Sequence, residues 1–177
     1  MKNFRKIESK ELQDNAIKLI GQDWMLIGAG TPERSNAMTA SWGSLGFYSN
    51  QPIVTIFVRP ERYTYQFIES STHFTLTVLD AERKDAHMIF GKMSGRDCDK
   101  AALAGVTPIF TELGNPTFEE GRVVIECRKI FSQTMPQGAF VDQDIYNRWY
   151  GAGHGGDHVM YMGVIENCWV KFSSQVE

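Results

Sequence analysis

The stretch from Asn36 to Thr64 reads NAMTASWGSLGFYSNQPIVTIFVRPERYT and contains the features that decide the fold. Its centre, residues 52–60, is rich in Val, Ile and Phe and predicts a buried β-strand. The residues before it, 37–47, are mostly small or hydroxyl-bearing and predict a second strand. Pro60 suits the first position of a helix, so residues 60–71 are predicted to be helical. Two strands followed by a short helix are therefore expected here.

The rest of the chain shows the same mixture of strands and short helices. Strands are predicted over 23–30, 73–80 and 122–135 with a strand pair over 158–172, and helices over 9–21, 81–93 and, after a turn, up to Gly105. At least six strands with short helices between them favour a β-barrel with helical decorations over a regular alternation of parallel strands and helices. The sequence shows no linker and no repeat, so residues 1–177 are predicted to form a single domain.

Composition excludes several classes of function. The chain is 42% hydrophobic and 12% aromatic with a formal net charge of −3, which fits a well-packed domain and argues against a nucleic-acid partner. No apolar run is long enough for a membrane span, and the polar N-terminus lacks the apolar core of a signal peptide. Three widely spaced cysteines, Cys98, Cys127 and Cys168, fit a reduced, cytoplasmic protein.

The common nucleotide motifs fail in this chain. The segment GAGTPE has Gly28 and Gly30 but lacks the third glycine and the helix that a dinucleotide fingerprint needs. No phosphate-binding loop of the Walker type occurs either. Any bound phosphate would have to be held by side chains and irregular backbone.

The histidines give one candidate. His154 and His158 stand four apart in HGGDH, but Gly155 and Gly156 make the helix that such a metal pair needs improbable, so no metal site is predicted. His158 opens a strand after a glycine-rich loop, where a side chain can face a cleft. We interpret it as either a site residue or a residue at the edge of the core.

Hydroxyl groups in the opening stretch form a second candidate. Strand side chains repeat every two residues, so Thr39 and Ser41 are predicted to share one face and Met38 and Trp42 the other. A row of hydroxyls suits a phosphate or a polar ring edge. The alternative is an edge strand that faces water.

Basic residues follow in two places. Arg59 and Arg62 could hold a phosphate with bidentate, charge-assisted hydrogen bonds, or could be solvated surface charges. The turn over residues 91–100 carries Lys92, Ser94, Arg96 and Lys100, and is either a third part of an anion site or an ordinary surface loop.

Five segments together resemble one family. NAMTASWGSLGF, VRPERYTYQFIE, SGRDCDKAALAGVTP, IECRKIF and DHVMYMGVIE occur in the order found in flavin reductase-like proteins of the FMN-binding split-barrel type, most similarly in flavoredoxins. The resemblance covers roughly residues 20–172. It implies a mainly β fold, a six-stranded Greek-key split barrel with short peripheral helices, and a homodimer with FMN near the subunit interface.

The resemblance also implies a set of site residues. Asn36, Met38, Thr39, Ala40 and Ser41 would contact the flavin ring edge and its ribityl-phosphate tail, with Trp42 as apolar wall. Arg59, Arg62, Tyr63 and Thr64 would surround the phosphate or ribityl chain, and Lys92, Ser94, Gly95 and Arg96 would complete the phosphate site. His158 would stand where a nicotinamide or second substrate approaches the ring.

Three functions remain open, of which the third is a binding module whose flavin site is degraded. The first is an FMN-dependent oxidoreductase in which NADH or NADPH reduces the flavin, which passes electrons to free flavin, ferric iron or another small acceptor. The second is a flavoredoxin-type carrier that exchanges electrons with a protein partner and has no NAD(P)H reductase activity of its own. Hydride chemistry belongs to the flavin, so neither of the first two needs a catalytic triad from the protein.

Overall fold

The computed structural model describes residues 1–151 and 153–172, which form ten strands and a set of short helices. The strands are β1 Phe4–Ile7, β2 Met25–Gly30, β3 Ser35–Ala40, β4 Gly43–Tyr48, β5 Gln51–Val58, β6 His73–Leu79, β7 Pro108–Phe110, β8 Pro116–Phe118, β9 Gly121–Thr134 and β10 Val159–Lys171. The α-helices are α1 Ala16–Lys18, α2 Tyr63–Ser70, α3 Lys84–Lys92, α4 Lys100–Ala104 and α5 Gln143–Trp149. Single turns of 3₁₀ helix cover Ser9–Glu11, Ala81–Arg83 and Gln137–Ala139, and a π-helical turn covers Leu19–Asp23.

One antiparallel sheet contains eight of these strands. The order is β3-β2-β6-β9-β10-β5-β4, with β1 added alongside β10. Its two edge strands, β3 and β4, are joined by only Ser41 and Trp42, which can span at most about 11 Å between Cα atoms. The sheet must therefore curl until its edges almost meet, which gives a barrel that is split between β3 and β4. The mainly β, split-barrel prediction is confirmed, with eight strands where the resemblance implied six.

The core lies inside this curled sheet. Its buried side chains come from every side of the barrel, among them Ile27, Met38, Ile56, Phe74 and Tyr161. A smaller apolar cluster lies outside, where α3 and α4 cover β2 and β8 around Phe90 and Phe118. Among the described residues, no helix is long and apolar enough to cross a membrane.

The outer face of β9 is also covered, although its sequence carries a charged residue there, Glu126. Glu126 is fully buried there and accepts hydrogen bonds from the Thr111 hydroxyl, the Asn115 amide at 2.8 Å and the Asn167 amide at 2.6 Å. A carboxylate can be buried when donors replace its water. These bonds fix the β7–β8 hairpin against the sheet.

Three predicted elements were wrong in their extent. The strand predicted over 37–47 is two strands, because the chain leaves β3 after Ala40 and re-enters the sheet at Gly43. The strand pair predicted over 158–172 is the single strand β10. The helix predicted over 9–21 is broken, because the Asn15 side chain accepts a hydrogen bond from the Lys18 amide and begins a new helix there. Ile17, in the short helix that begins there, is 81% exposed.

Candidate functional site

An aromatic-walled cavity lies at the split in the barrel. We call it the aromatic cavity; it has a volume of about 350 Å³. It is lined by Met38, Thr39, Ala40, Ser41, Trp42, Phe57, Arg59, Arg62, Trp149, His154 and His158. These residues come from the end of β3, the β3–β4 connection, the end of β5 and the chain around α5 and β10. The end of β3 thus lines a pocket at the split.

A second cavity adjoins it and is basic. We call it the basic cavity; it has a volume of about 190 Å³. It is lined by Asn36, Met38, Glu61, Arg62, Tyr63, Thr64, Gly91, Lys92, Met93, Ser94, Arg96 and Lys100. Met38 and Arg62 line both cavities. The pair therefore offers one aromatic compartment and one cationic compartment that meet at Met38 and the half-buried Arg62.

The structure brings nearly all of the predicted site residues to these two cavities. Asn36, Met38, Thr39, Ala40, Ser41, Trp42, Arg59, Arg62, Tyr63, Thr64, Lys92, Ser94, Arg96 and His158 all line one or both. Gly95 lies behind the wall of the basic cavity, packed on Asn36, and a Cβ there would lie 3.1 Å from the Tyr63 ring. Its lack of a side chain lets the 91–100 turn approach β3.

Several hydroxyls in the predicted set already have protein partners. Thr39 donates its hydroxyl hydrogen to the carbonyl of His87 at 2.6 Å, and Asn36 donates to the Thr64 hydroxyl at 2.7 Å. These bonds tie β3 to α3 and α2. The face that Thr39 and Ser41 were predicted to share does not exist as strand, because Ser41 lies beyond the end of β3.

Arg59, which the resemblance places around the phosphate or the ribityl chain, lies at the aromatic cavity. It lines the aromatic cavity, where its Nη1 donates to the carbonyl of Gly156 at 2.6 Å and its Nη2 to the carbonyl of Trp149 at 2.7 Å. Its guanidinium also lies over the Tyr150 ring, 5.3 Å from the ring centroid. Both terminal nitrogens are thus engaged with the protein backbone.

The cations of the basic cavity are in different environments. Arg62 is half-buried, and burial lowers the pKa of its guanidinium; it donates to the carbonyl of Phe90 at 3.1 Å. Arg96 is exposed and lies over the Tyr63 ring, with 4.6 Å from its Cζ to the centroid. Lys92 is exposed and faces the same cavity. Together they place positive charge around a small, hydroxyl-bearing space.

Lys100 is more deeply placed than a surface loop would allow. It is 6% exposed, donates to the carbonyl of Ala37 and lies 5.2 Å from the centroid of the Phe90 ring. Burial, followed by the nearby charge of Arg62, lowers its pKa to about 8. The sequence placed it in a basic turn but gave no sign that α4 would fold it under β3.

His158 is buried between two aromatic rings. It is 8% exposed, with ring centroids 5.3 Å from Trp42 and 5.2 Å from Tyr150. Burial, and then the charge of Arg59, lowers its pKa to about 4, so the ring is neutral at pH 7. Within residues 1–151 and 153–172, its buried Nδ1 has no hydrogen-bond partner. A buried polar atom of this kind is normally satisfied, so a ligand that can bond it would fit here.

An apolar pocket lies on the other side of the aromatic cavity's wall. It has a volume of about 560 Å³ and shares Ser41, Trp42, Phe57 and Trp149 with the aromatic cavity. Trp42 and Trp149 pack edge to face, with 5.3 Å between ring centroids. Three wall residues were not predicted from the sequence: Phe57, Trp149 and Tyr150. Trp149 and Tyr150 follow a polar stretch that gave no periodic signal, and Trp42, the ring on which Trp149 packs, is about a hundred residues away in the chain.

These features agree with a family match. The chain belongs to the flavin reductase-like family, because the family model for the flavin reductase like domain matches residues 18–175. No curated protein matches the chain.

Solved structures share the fold at low sequence identity. The FMN-binding domain of a flavin reductases-like enzyme from Shewanella baltica superposes with a TM-score of 0.68 at 17% identity, over 96% of this chain and 78% of the other. Flavoredoxin of Desulfovibrio vulgaris gives 0.63 at 23% identity, over 84% and 69%. An NADH:FAD oxidoreductase from Streptomyces globisporus gives 0.63 at 18% identity, over 85% and 75%. Likeness at this level shows a shared fold.

Proposed function

We propose that the chain binds FMN and acts as an oxidoreductase that passes electrons from NADH or NADPH to free flavin, ferric iron or another small acceptor. The observation that carries this proposal is the junction of an aromatic cavity with a basic cavity at Met38 and Arg62. FMN has the same two parts, a planar ring system and a phosphate. The family match and the names of the structural relatives support the same choice of cofactor.

The basic cavity suits the phosphate. Arg62, Lys92 and Arg96 supply positive charge, and Ser94 adds a hydroxyl. Charge-assisted hydrogen bonds to a phosphate are roughly twice as strong as neutral ones. Glu61 also lines this cavity, but its carboxylate accepts a hydrogen bond from the Gly156 amide, which directs it away from the cations.

The aromatic cavity suits the ring. Trp42, Phe57 and Trp149 provide apolar wall, while Ser41 and His158 supply polar atoms, the usual composition of a cofactor pocket. When bound, FMN supplies the hydride and electron-transfer chemistry, and the residues around it orient the ring. His158 is neutral, so it can donate or accept one hydrogen bond without placing a charge beside the ring.

A direct test uses anaerobic spectroscopy. The purified protein loaded with FMN is mixed with NADH or NADPH, and the flavin absorbance is followed. The proposal predicts bleaching by at least one nicotinamide, with reoxidation on adding free flavin or ferric iron. A protein that takes up no FMN would contradict the proposal at its first step.

A flavoredoxin-type electron carrier is the second candidate. It is favoured by the structural likeness to the Desulfovibrio flavoredoxin. Such a carrier would hold FMN, would not be bleached by either nicotinamide, and would be reduced only by a redox protein partner. The same anaerobic experiment separates the two candidates.

We also propose that the chain forms a homodimer. The β4–β5 hairpin carries Phe47 and Tyr48 at its tip, 71% and 57% exposed, and Ile17 lies exposed beside β4. Exposed aromatic and aliphatic side chains of this size favour a partner surface. Light scattering during size-exclusion chromatography would give twice the 20.1 kDa chain mass for a dimer.

A further inference from the structure

The turn after β5 is hydrogen-bonded to the chain that leads from α5 into β10. Arg59 donates to two carbonyls there, those of Trp149 and Gly156, at 2.7 and 2.6 Å. Two residues later, Glu61 accepts a hydrogen bond from the Gly156 amide. The backbone N–H and the backbone carbonyl of Gly156 are therefore both bonded to one short turn. We call this set of bonds the clasp.

The local sequence explains why the clasp forms. Pro60 lies between Arg59 and Glu61, and its ring fixes its own φ, which restricts the conformation of the turn. A side chain at Gly156 would place a Cβ 2.9 Å from the Glu61 carboxylate oxygen, so the carboxylate would have to shift to make room for it. Gly155 has a φ of +84°, which glycine adopts at little cost.

The clasp fixes two walls of the aromatic cavity. The Trp149 carbonyl accepts one of the Arg59 hydrogen bonds, and the Trp149 ring packs on Trp42. Trp149 also lines both the aromatic cavity and the apolar pocket, so it lies in the wall between them. The Gly156 carbonyl accepts the other Arg59 hydrogen bond, and Gly156 lies two residues before His158, which packs between Trp42 and Tyr150. Among the described residues, the buried Nδ1 of His158 has no hydrogen-bond partner, and the Trp149 ring packs edge to face on Trp42. Their positions depend on packing and on the backbone.

We infer that Arg59 and Glu61 are positioning residues that hold Trp149 and His158 against the flavin ring, and that Arg59 is not a phosphate ligand. The functional part of this inference rests on the proposed FMN site. Two observations support it: both terminal nitrogens of Arg59 are engaged with carbonyls, and Arg59 lines the aromatic cavity and not the basic one. Because Arg59 would act through the backbone carbonyls that it bonds, replacing it should weaken binding of the flavin ring and leave recognition of the phosphate unchanged.

The clasp itself is tested without flavin. Hydrogen–deuterium exchange is measured on the ligand-free wild type and on Arg59→Lys and Glu61→Gln, with Lys92→Gln as the control. Losing these hydrogen bonds should speed exchange at residues 149–151 and 153–158 by about tenfold, while the barrel strands keep their wild-type rates. Lys92→Gln should leave the segment unchanged. Wild-type exchange of this segment in both clasp variants would overturn the inference.

The role toward flavin is tested by comparing FMN with riboflavin, which lacks the phosphate. Arg59→Lys should weaken both by the same factor, so that their affinity ratio stays at the wild-type value. Lys92→Gln should weaken FMN alone. A selective loss of FMN affinity in Arg59→Lys would make Arg59 a phosphate ligand and overturn the assignment. If the wild type binds neither flavin, the proposed function fails, and the exchange measurement still decides whether the clasp exists.

Discussion

At the scale of single residues, the site is built from groups whose roles depend on what they already bond. Arg59 and Arg62 stand three apart in the sequence and look equivalent there. In the structure Arg59 donates hydrogen bonds to two backbone carbonyls, while Arg62 lies at the junction of the two cavities. The order of motifs was enough to predict which residues meet. It could not assign Arg59, because the carbonyls it bonds are about ninety residues away in the chain.

Arg96 tests the phosphate side of the site. Replacing Arg96 by Ala removes an exposed cation that lines the basic cavity. FMN binding should weaken by about 1–3 kcal/mol, the usual contribution of a hydrogen bond to a charged group. Fluorescence titration with FMN gives this number, and riboflavin binding should stay at the wild-type value. Equal losses for both ligands would place Arg96 away from the phosphate.

His158 tests the ring side. His158→Phe keeps a ring between Trp42 and Tyr150 and removes both nitrogens. FMN affinity should change by less than about tenfold, since one neutral hydrogen bond contributes about 1 kcal/mol. The rate of reduction by NADH or NADPH, followed by stopped-flow absorbance, should fall by about tenfold or more because positioned hydrogen-bonding groups act mainly in the reaction step. Wild-type reduction kinetics would show that the ring is structural only.

At the scale of elements, the strands rich in Val, Ile and Phe were predictable, but the breaks within the predicted strand 37–47 and the predicted helix 9–21 were not. Residues 52–60 and 73–80 correspond to β5 and β6 because β-branched and aromatic residues fit a buried sheet. The strand pair predicted over 158–172 is one strand, β10, and Gly163 lies inside it. The short strands β1, β7 and β8 and helix α5 lacked a periodic signal and were not predicted.

Gly163 gives a prediction at this scale. A Cβ at Gly163 would lie 2.7 Å from the Cβ of Cys127 and 2.8 Å from the ring of Phe74. Gly163→Ala should therefore lower the free energy of unfolding by about 1–3 kcal/mol, measured by urea denaturation. Gly46→Ala is the matched control, because a Cβ there meets only Ile53 at 3.9 Å, and it should cost less than about 0.5 kcal/mol. Similar stabilities for the two variants would contradict this packing of β10.

At the scale of the whole molecule, two buried histidines make stability depend on pH. Burial lowers the pKa of His87 and of His158 from 6.5 to about 4. Between pH 6.5 and pH 4 the unfolded chain therefore binds more protons than the folded one, so the free energy of unfolding falls as the pH is lowered. The loss should be on the order of 2–3 kcal/mol for each histidine by pH 4.

The acid loss can be assigned with one variant and one control. His87→Phe keeps an aromatic ring near Trp24 and removes the titrating group, so urea denaturation should show a smaller drop between pH 7 and pH 4.5 than in the wild type. His154→Gln alters an exposed histidine and should leave the drop unchanged. A drop of wild-type size in His87→Phe would mean that other groups cause the acid sensitivity.

The central claim is that one ligand spans the aromatic and the basic cavity, with its ring in the first and its phosphate in the second. Titration of the wild-type protein with FMN and with riboflavin, followed by flavin fluorescence, tests it most directly. Charge-assisted bonds from Arg62, Lys92 and Arg96 predict that FMN binds at least about tenfold more tightly than riboflavin. Equal affinities, or no binding of either flavin, would contradict it.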